Sequence, residues 1–113
     1  MSAKFSMRQV GDVTVIDGVG RITLEVAGAF RETIHELAAK GQKRLLLNLA
    51  EVRHIDSSGI GELVSGFTTI TNQGGQLKLL HLSKRVKDVL TVVKLLTVFE
   101  VFDDEAEAIR SFG

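Results

Sequence analysis

The apolar positions of this chain change their spacing several times between Lys4 and Phe112, and each change predicts an element. Lys4 to Val10 and Val13 to Val19 read as two strands of a hairpin around Gly11-Asp12, the second the richer in β-branched residues. Asp17-Gly18 fits the end of that second strand as well as it fits a bulge within it. Val26, Phe30, Ile34, Leu37 and Ala38 then share one helical stripe, with Thr23 placed as its cap and Gly41 just past its end. Leu45, Leu46, Leu47 and Leu49, interrupted only by Asn48, form the short apolar run of a strand buried on both faces.

A period of three and four returns at Ile60, Leu63, Val64, Phe67 and Ile70, with Glu62, Ser65, Thr68, Thr69 and Asn72 off the stripe, so a second helix is expected. Asn72 to Gly75 make a turn, and Gln76 to Leu82 alternate well enough for a strand. Ser83 is placed to cap a third helix, running to Leu96, with Val86, Val89, Leu90, Val93 and Leu96 on one face and Lys84, Arg85, Lys87 and Asp88 outside it. Val98 to Phe102 reads as a last short strand, an edge candidate with two exposed phenylalanines. Asp103, Asp104 and Glu105 bring negative charge to the first turn of a final helix that carries Ala106, Ile109 and Phe112.

Strands and helices alternate after residue 40, which implies an α/β fold: a mixed, mostly parallel sheet of four to five strands, an antiparallel hairpin at its start and about four helices. Right-handed crossovers bring the carboxyl ends of the parallel strands to one edge, where ligands and partners of such sheets usually bind. The stretch Arg53 to Gly61, RHIDSSGIG, falls there, between the leucine strand and the second helix. Only one of Asp56, Ser57 and Ser58 can be the N-cap, and no Glu or Gln lies three positions later to complete a capping box. Gly59, Gly61 and Gly66 each cost a helix interior up to about 1 kcal/mol relative to Ala. Close approach of another backbone, expected in particular at Gly61, offsets that cost, as does keeping the helix end open to a second protein. A serine hydroxyl at a helix N-terminus is also suited to carry phosphate, because the free N–H groups and the dipole compensate negative charge.

Composition narrows the field. The 113 residues suit one domain, and 14 Lys plus Arg balance 14 Asp plus Glu, so no basic excess points to nucleic acid or an anionic membrane. There is no cysteine for a disulfide, a thiol nucleophile or a thiolate metal site. No secretory h-region opens the chain and no apolar run approaches the ~18 residues of a membrane span, so the expected compartment is the cytoplasm. The apolar residues are accounted for by stripes and buried strands, which predicts a monomer. A hydrolase with Ser57 as nucleophile and His54 as base lacks the Gly-x-Ser-x-Gly elbow and an orienting third group. His35 and His81 read as surface residues, and Gly59, Gly61, Gly74 and Gly75 match neither a P-loop nor a dinucleotide fingerprint. Lys84, Arg85 and Lys87 are a solvated helix face unless the topology sets them beside Ser57.

Asp56-Ser57-Ser58-Gly59-Ile60-Gly61, between a leucine-rich strand and an amphipathic helix, resembles the signature of the STAS domain, and specifically of the bacterial anti-sigma factor antagonists. The likeness extends over essentially the whole chain, to Gly74-Gly75 before a short apolar strand and to the Lys/Arg-bearing helix near Val86 to Leu96. Where many members carry an acidic residue near the end of the second strand, this chain has Gly20, Arg21, Ile22 and Thr23. The resemblance implies a non-catalytic switch with no cofactor or metal of its own, phosphorylated on Ser57 by an anti-sigma factor that is itself a serine kinase and reversed by a serine phosphatase. It also implies a partner surface of Asp56, Ser57, Ser58, Gly59, Ile60 and Gly61, with the nucleotide held by the kinase. The alternative is a STAS domain acting without phosphorylation, as a binding subunit of a transporter-associated or stress-signalling complex.

Overall fold

The leucine run lies in the middle of a five-stranded sheet. A computed structural model describes residues 3–113, ordered as β1 (Lys4–Val10), β2 (Val13–Ile22), α1 (Leu24–Ala39), β3 (Arg44–Ile55), α2 (Ser57–Asn72), β4 (Gln76–Leu80), α3 (Lys84–Val92), β5 (Val101–Phe102) and α4 (Glu105–Ser111). The strands lie side by side in sequence order; β1 pairs antiparallel with β2, and every later pair is parallel. Successive parallel neighbours need a helix between them, and α1, α2 and α3 supply the three crossovers.

Both faces of the sheet are covered at its centre, which is why its central strands read as continuous apolar runs there. On one face Ile16, Leu45, Leu47, Leu49, Leu77 and Leu79 pack with Phe30 and Ile34 of α1, Leu63 and Ile70 of α2, and Val86 and Leu90 of α3. On the other, Val13, Val15, Leu46 and Leu80 pack with Ala108 and Phe112 of α4. Lys78 fixes the end of α4 there: its buried ammonium donates to the Ser111 carbonyl and hydroxyl, pairs with Glu100 at 2.8 Å and lies 4.7 Å from the centre of the Phe112 ring.

Several boundaries differ from the expected ones, each for a local reason. β2 runs on to Ile22, with register shifts at Asp17/Val19 and Gly20/Arg21, so Asp17-Gly18 is a bulge and not an end. β4 stops at Leu80, not Leu82, where His81 turns with φ +53°. α3 ends at Val92, short of Leu96, because Lys94 adopts a left-handed φ of +63° and a 3-10 turn follows at Leu95–Thr97. That turn also shortens the last strand from the expected Val98 to Phe102: the Val98 and Phe99 N–H groups bond back to the Leu95 carbonyl, leaving Val101–Phe102 as β5. Phe99 is therefore not an exposed edge residue; it is buried edge-on against Phe67, with ring centres 4.9 Å apart. In α4 the buried alanine is Ala108, and Ala106 faces solvent. Val64, expected on the buried stripe of α2, is 39% exposed.

Candidate functional site

β2 and β3 both extend past the end of β4, and their carboxyl ends converge where α1 and α2 begin. Ile22 and Ile55 close the ladder, and the Asp56 N–H then donates to the Ile22 carbonyl, so the loop before α2 is held by the end of β2. Asp56 is the N-cap of α2: one carboxylate oxygen accepts from the Gly59 N–H at 3.0 Å. The other accepts from the Leu24 N–H at 3.1 Å, at the first turn of α1. One side chain thus caps two helices. Thr23, expected to cap α1, occupies the N-cap position without a side-chain cap bond, since the distant aspartate already fills that role. The Gly59 N–H foremost, with the Leu24 N–H, holds the Asp56 carboxyl below the usual carboxylate range.

This use of Asp56 leaves Ser57 as the first helical residue, exposed, at the positive end of a 16-residue helix. Ser58 and Ile60 are half-buried, with Ile60 packed on the core, and Gly61 is exposed. Gly59 is buried. A Cβ there would lie 2.7 Å from the Ile22 carbonyl oxygen and 2.7 Å from a carbon of Ile55, so the close approach of backbone occurs at Gly59. At Gly61, where it was expected, no atom lies within 4 Å of an added Cβ. The expectation of internal crowding at Gly61 is thereby corrected.

The nucleophile arrangement is not assembled. His54 Nδ1 accepts from Arg85 Nε at 3.2 Å, and among the described residues no titratable side chain hydrogen-bonds to the Ser57 hydroxyl. Of the basic residues of α3, Arg85 is the one bonded to the strand that leads to Ser57. Ser83 donates its hydroxyl to the Val52 carbonyl at 2.8 Å while capping α3, which places the start of that helix along the free edge of β3 and brings Arg85 to His54, three residues before Ser57. The sequence pattern singled out Asp56 and Ser57 but not Ile22 and Leu24, which reach the loop only through long-range bonds. Charge marked Arg85, without its partner.

A family model of the STAS domain matches residues 4–108. The anti-sigma-B factor antagonist of Bacillus subtilis is 29% identical over 101 residues, covering 89% of this chain and 92% of that protein. The crystal structure of TM1081 from Thermotoga maritima is 27% identical and superposes with a TM-score of 0.90, covering 96% of this chain and 93% of that one. The Bacillus cell fate determinant SpoIIAA in its phosphorylated form shares the fold at a TM-score of 0.76, with 22% identity and coverage of 96% and 98%. Among the described residues no helix is long and apolar enough to cross a membrane. With its sheet order, its single antiparallel pair and a match over nearly its whole length, the chain belongs to the STAS domain family.

Proposed function

We propose that this chain is an anti-sigma factor antagonist that works as a phosphorylation-controlled partner switch. Dephosphorylated, it binds an anti-sigma factor with serine kinase activity and so frees the factor that kinase restrains; phosphorylated on Ser57, it lets go, until a serine phosphatase restores it. The chain itself is no enzyme in this reading. The observation that carries it is the division of labour at the start of α2: Asp56 is committed to capping two helices, and Ser57 beside it is exposed with its hydroxyl unengaged among the described residues. The antagonist names of relatives at 27 to 29% identity point the same way.

A phosphoryl group brings a charge of roughly −1.5 to −2. In the free protein that charge stands at a helix N-terminus, where the dipole favours it by about 0.3 to 1 kcal/mol. In a complex it stands beside Asp56 at a desolvated interface, where like-charge juxtaposition costs several kcal/mol. Folding and binding therefore respond oppositely. Ser57→Asp is expected to melt near the wild-type temperature and to bind the kinase poorly. Ser57→Ala should bind but resist phosphorylation, and Ser58→Ala should remain phosphorylatable. Incubation with the candidate kinase and ATP, followed by phosphoserine mapping and affinity measurement on the three variants, tests this; phosphate found on Ser58 in Ser57→Ala, or wild-type affinity in Ser57→Asp, would overturn the assignment.

A further inference from the structure

The sheet face that carries α4 is only partly covered. α4 reaches across β4 and β5, and its first turn meets β1 and β2 at the level of Arg8 and Asp17 through the Arg8–Glu105 pair. Beyond that level, among the described residues, no helix packs on this side of the carboxyl halves of β2 and β3. Their open face forms a cleft of about 240 Å³ lined by Val19, Gly20, Arg21, Glu51 and Arg53. The bulges of β2 and β3 set its layout: Val19 stands opposite Glu51, Arg21 stands opposite His54, and Arg53 is the residue passed over by the register between Val52 and His54. Lys4 of β1 adds a cation beside Val19, its register partner.

Among the described residues, none of Lys4, Arg21, Glu51 and Arg53 makes a side-chain ion pair or hydrogen bond, and all four are exposed. Unengaged charges at this density contrast with the same face a few residues away, where Arg8, Asp17, Asn48 and Glu105 are fully bonded to one another. We propose that this cleft is a docking site for an extended acidic segment of a protein partner. Arg21 and Arg53 lie at neighbouring positions of adjacent strands, whose backbones are about 5 Å apart, and their guanidinium groups are planar donor forks suited to carboxylates. One residue further in, the exposed Glu51 offers an acceptor to a hydrogen-bond donor, and the half-exposed Val19 offers an apolar contact. A compact phosphate would meet the Glu51 charge. An extended chain, whose side chains on one face repeat about every 6.7 Å, can set a carboxylate on the arginines and its backbone N–H on Glu51.

The site lies at the same sheet edge as Ser57 but on the opposite face from α1 and α2, so it is independent of the switch. The probe is a fluorescein-labelled octapeptide of alternating Glu and Ser, with a Gln-Ser peptide as control, titrated into the full chain by anisotropy. Saturable binding of the Glu peptide, weakened at least about tenfold by the double substitution Arg21→Gln/Arg53→Gln and by added salt, is the expected result. Ser57→Asp should leave it unchanged, which separates failure here from failure of the switch. Equal binding to the double variant, no preference over the Gln peptide, or pyrophosphate binding in place of the peptide with the same arginine dependence would each overturn the proposal.

Discussion

At the scale of single residues, two glycines two positions apart have opposite reasons to be there. Gly59 is held by sterics, since a methyl group would press on the Ile22 carbonyl oxygen, which is fixed by its own bond to the Asp56 N–H and cannot retreat. Gly59→Ala gains up to about 1 kcal/mol in helix propensity but incurs an overpacking cost of roughly 1 to 3 kcal/mol. The expected net is a loss of about 1 kcal/mol or more, a fall in Tm of around 4 °C for a domain of this size. Gly61 has open space around it, so Gly61→Ala should raise Tm by a similar margin while weakening partner binding, because the cost of that glycine is repaid by no contact within the chain. Thermal melts of both variants decide the matter: a stabilised Gly59→Ala or a destabilised Gly61→Ala would contradict it. The need for glycine in this segment was legible from helix propensity alone. Which glycine met which neighbour was not, because Ile22 is 37 positions from Gly59 in the chain.

At the scale of elements, the apolar periods placed every helix and strand, and the failures cluster where packing overrides local preference. The stripe through Val93 and Leu96 predicted a longer α3, yet burying Phe99 against Phe67 requires the chain to turn at Lys94. No local pattern encodes that contact. The opposite face of the sheet shows a second non-local device in Lys78, an apparent polar interruption of an apolar strand. Its ammonium satisfies carbonyl and hydroxyl acceptors at the end of α4, while its stem fills the layer beside Phe112. Lys78→Ala removes both and is expected to destabilise by about 2 kcal/mol, whereas Lys78→Met keeps the stem and should cost about 1 kcal/mol. Hydrogen exchange of the α4 amides should accelerate in both variants before that of α1. If α4 protection were unchanged in Lys78→Ala, the lysine would not be what holds this helix.

At the scale of the whole molecule, one arginine ties the ends of the chain together. Arg8 on the edge strand β1 donates to Asp17 on β2 at 2.7 Å and to Glu105 at the start of α4 at 2.9 Å, and Asn48 on β3 donates to the same aspartate at 2.8 Å. The Arg8 hydrogen bonds hold both carboxyls below their ordinary values of 3.8 and 4.5, against partial burial, which acts the other way. A carboxyl whose folded pKa is depressed contributes stability that is fully present above its unfolded value and is lost as pH falls through the folded one. The network should therefore hold undiminished down to about pH 4.5 and fail progressively below it, and α4 should loosen first because Glu105 anchors its first turn. Arg8→Met removes the cation and leaves two like charges facing each other at neutral pH. In that variant the main cause of the depression is gone, with the Asn48 hydrogen bond to Asp17 remaining, and protonation relieves repulsion between the two carboxylates. The stability gap between wild type and Arg8→Met is thus expected to be widest near pH 7 and to close as pH falls through the depressed folded values of both carboxyls. Urea unfolding at a series of pH values measures this directly, and a gap that stayed constant through the acid range would mean that Arg8 acts by packing and not by charge.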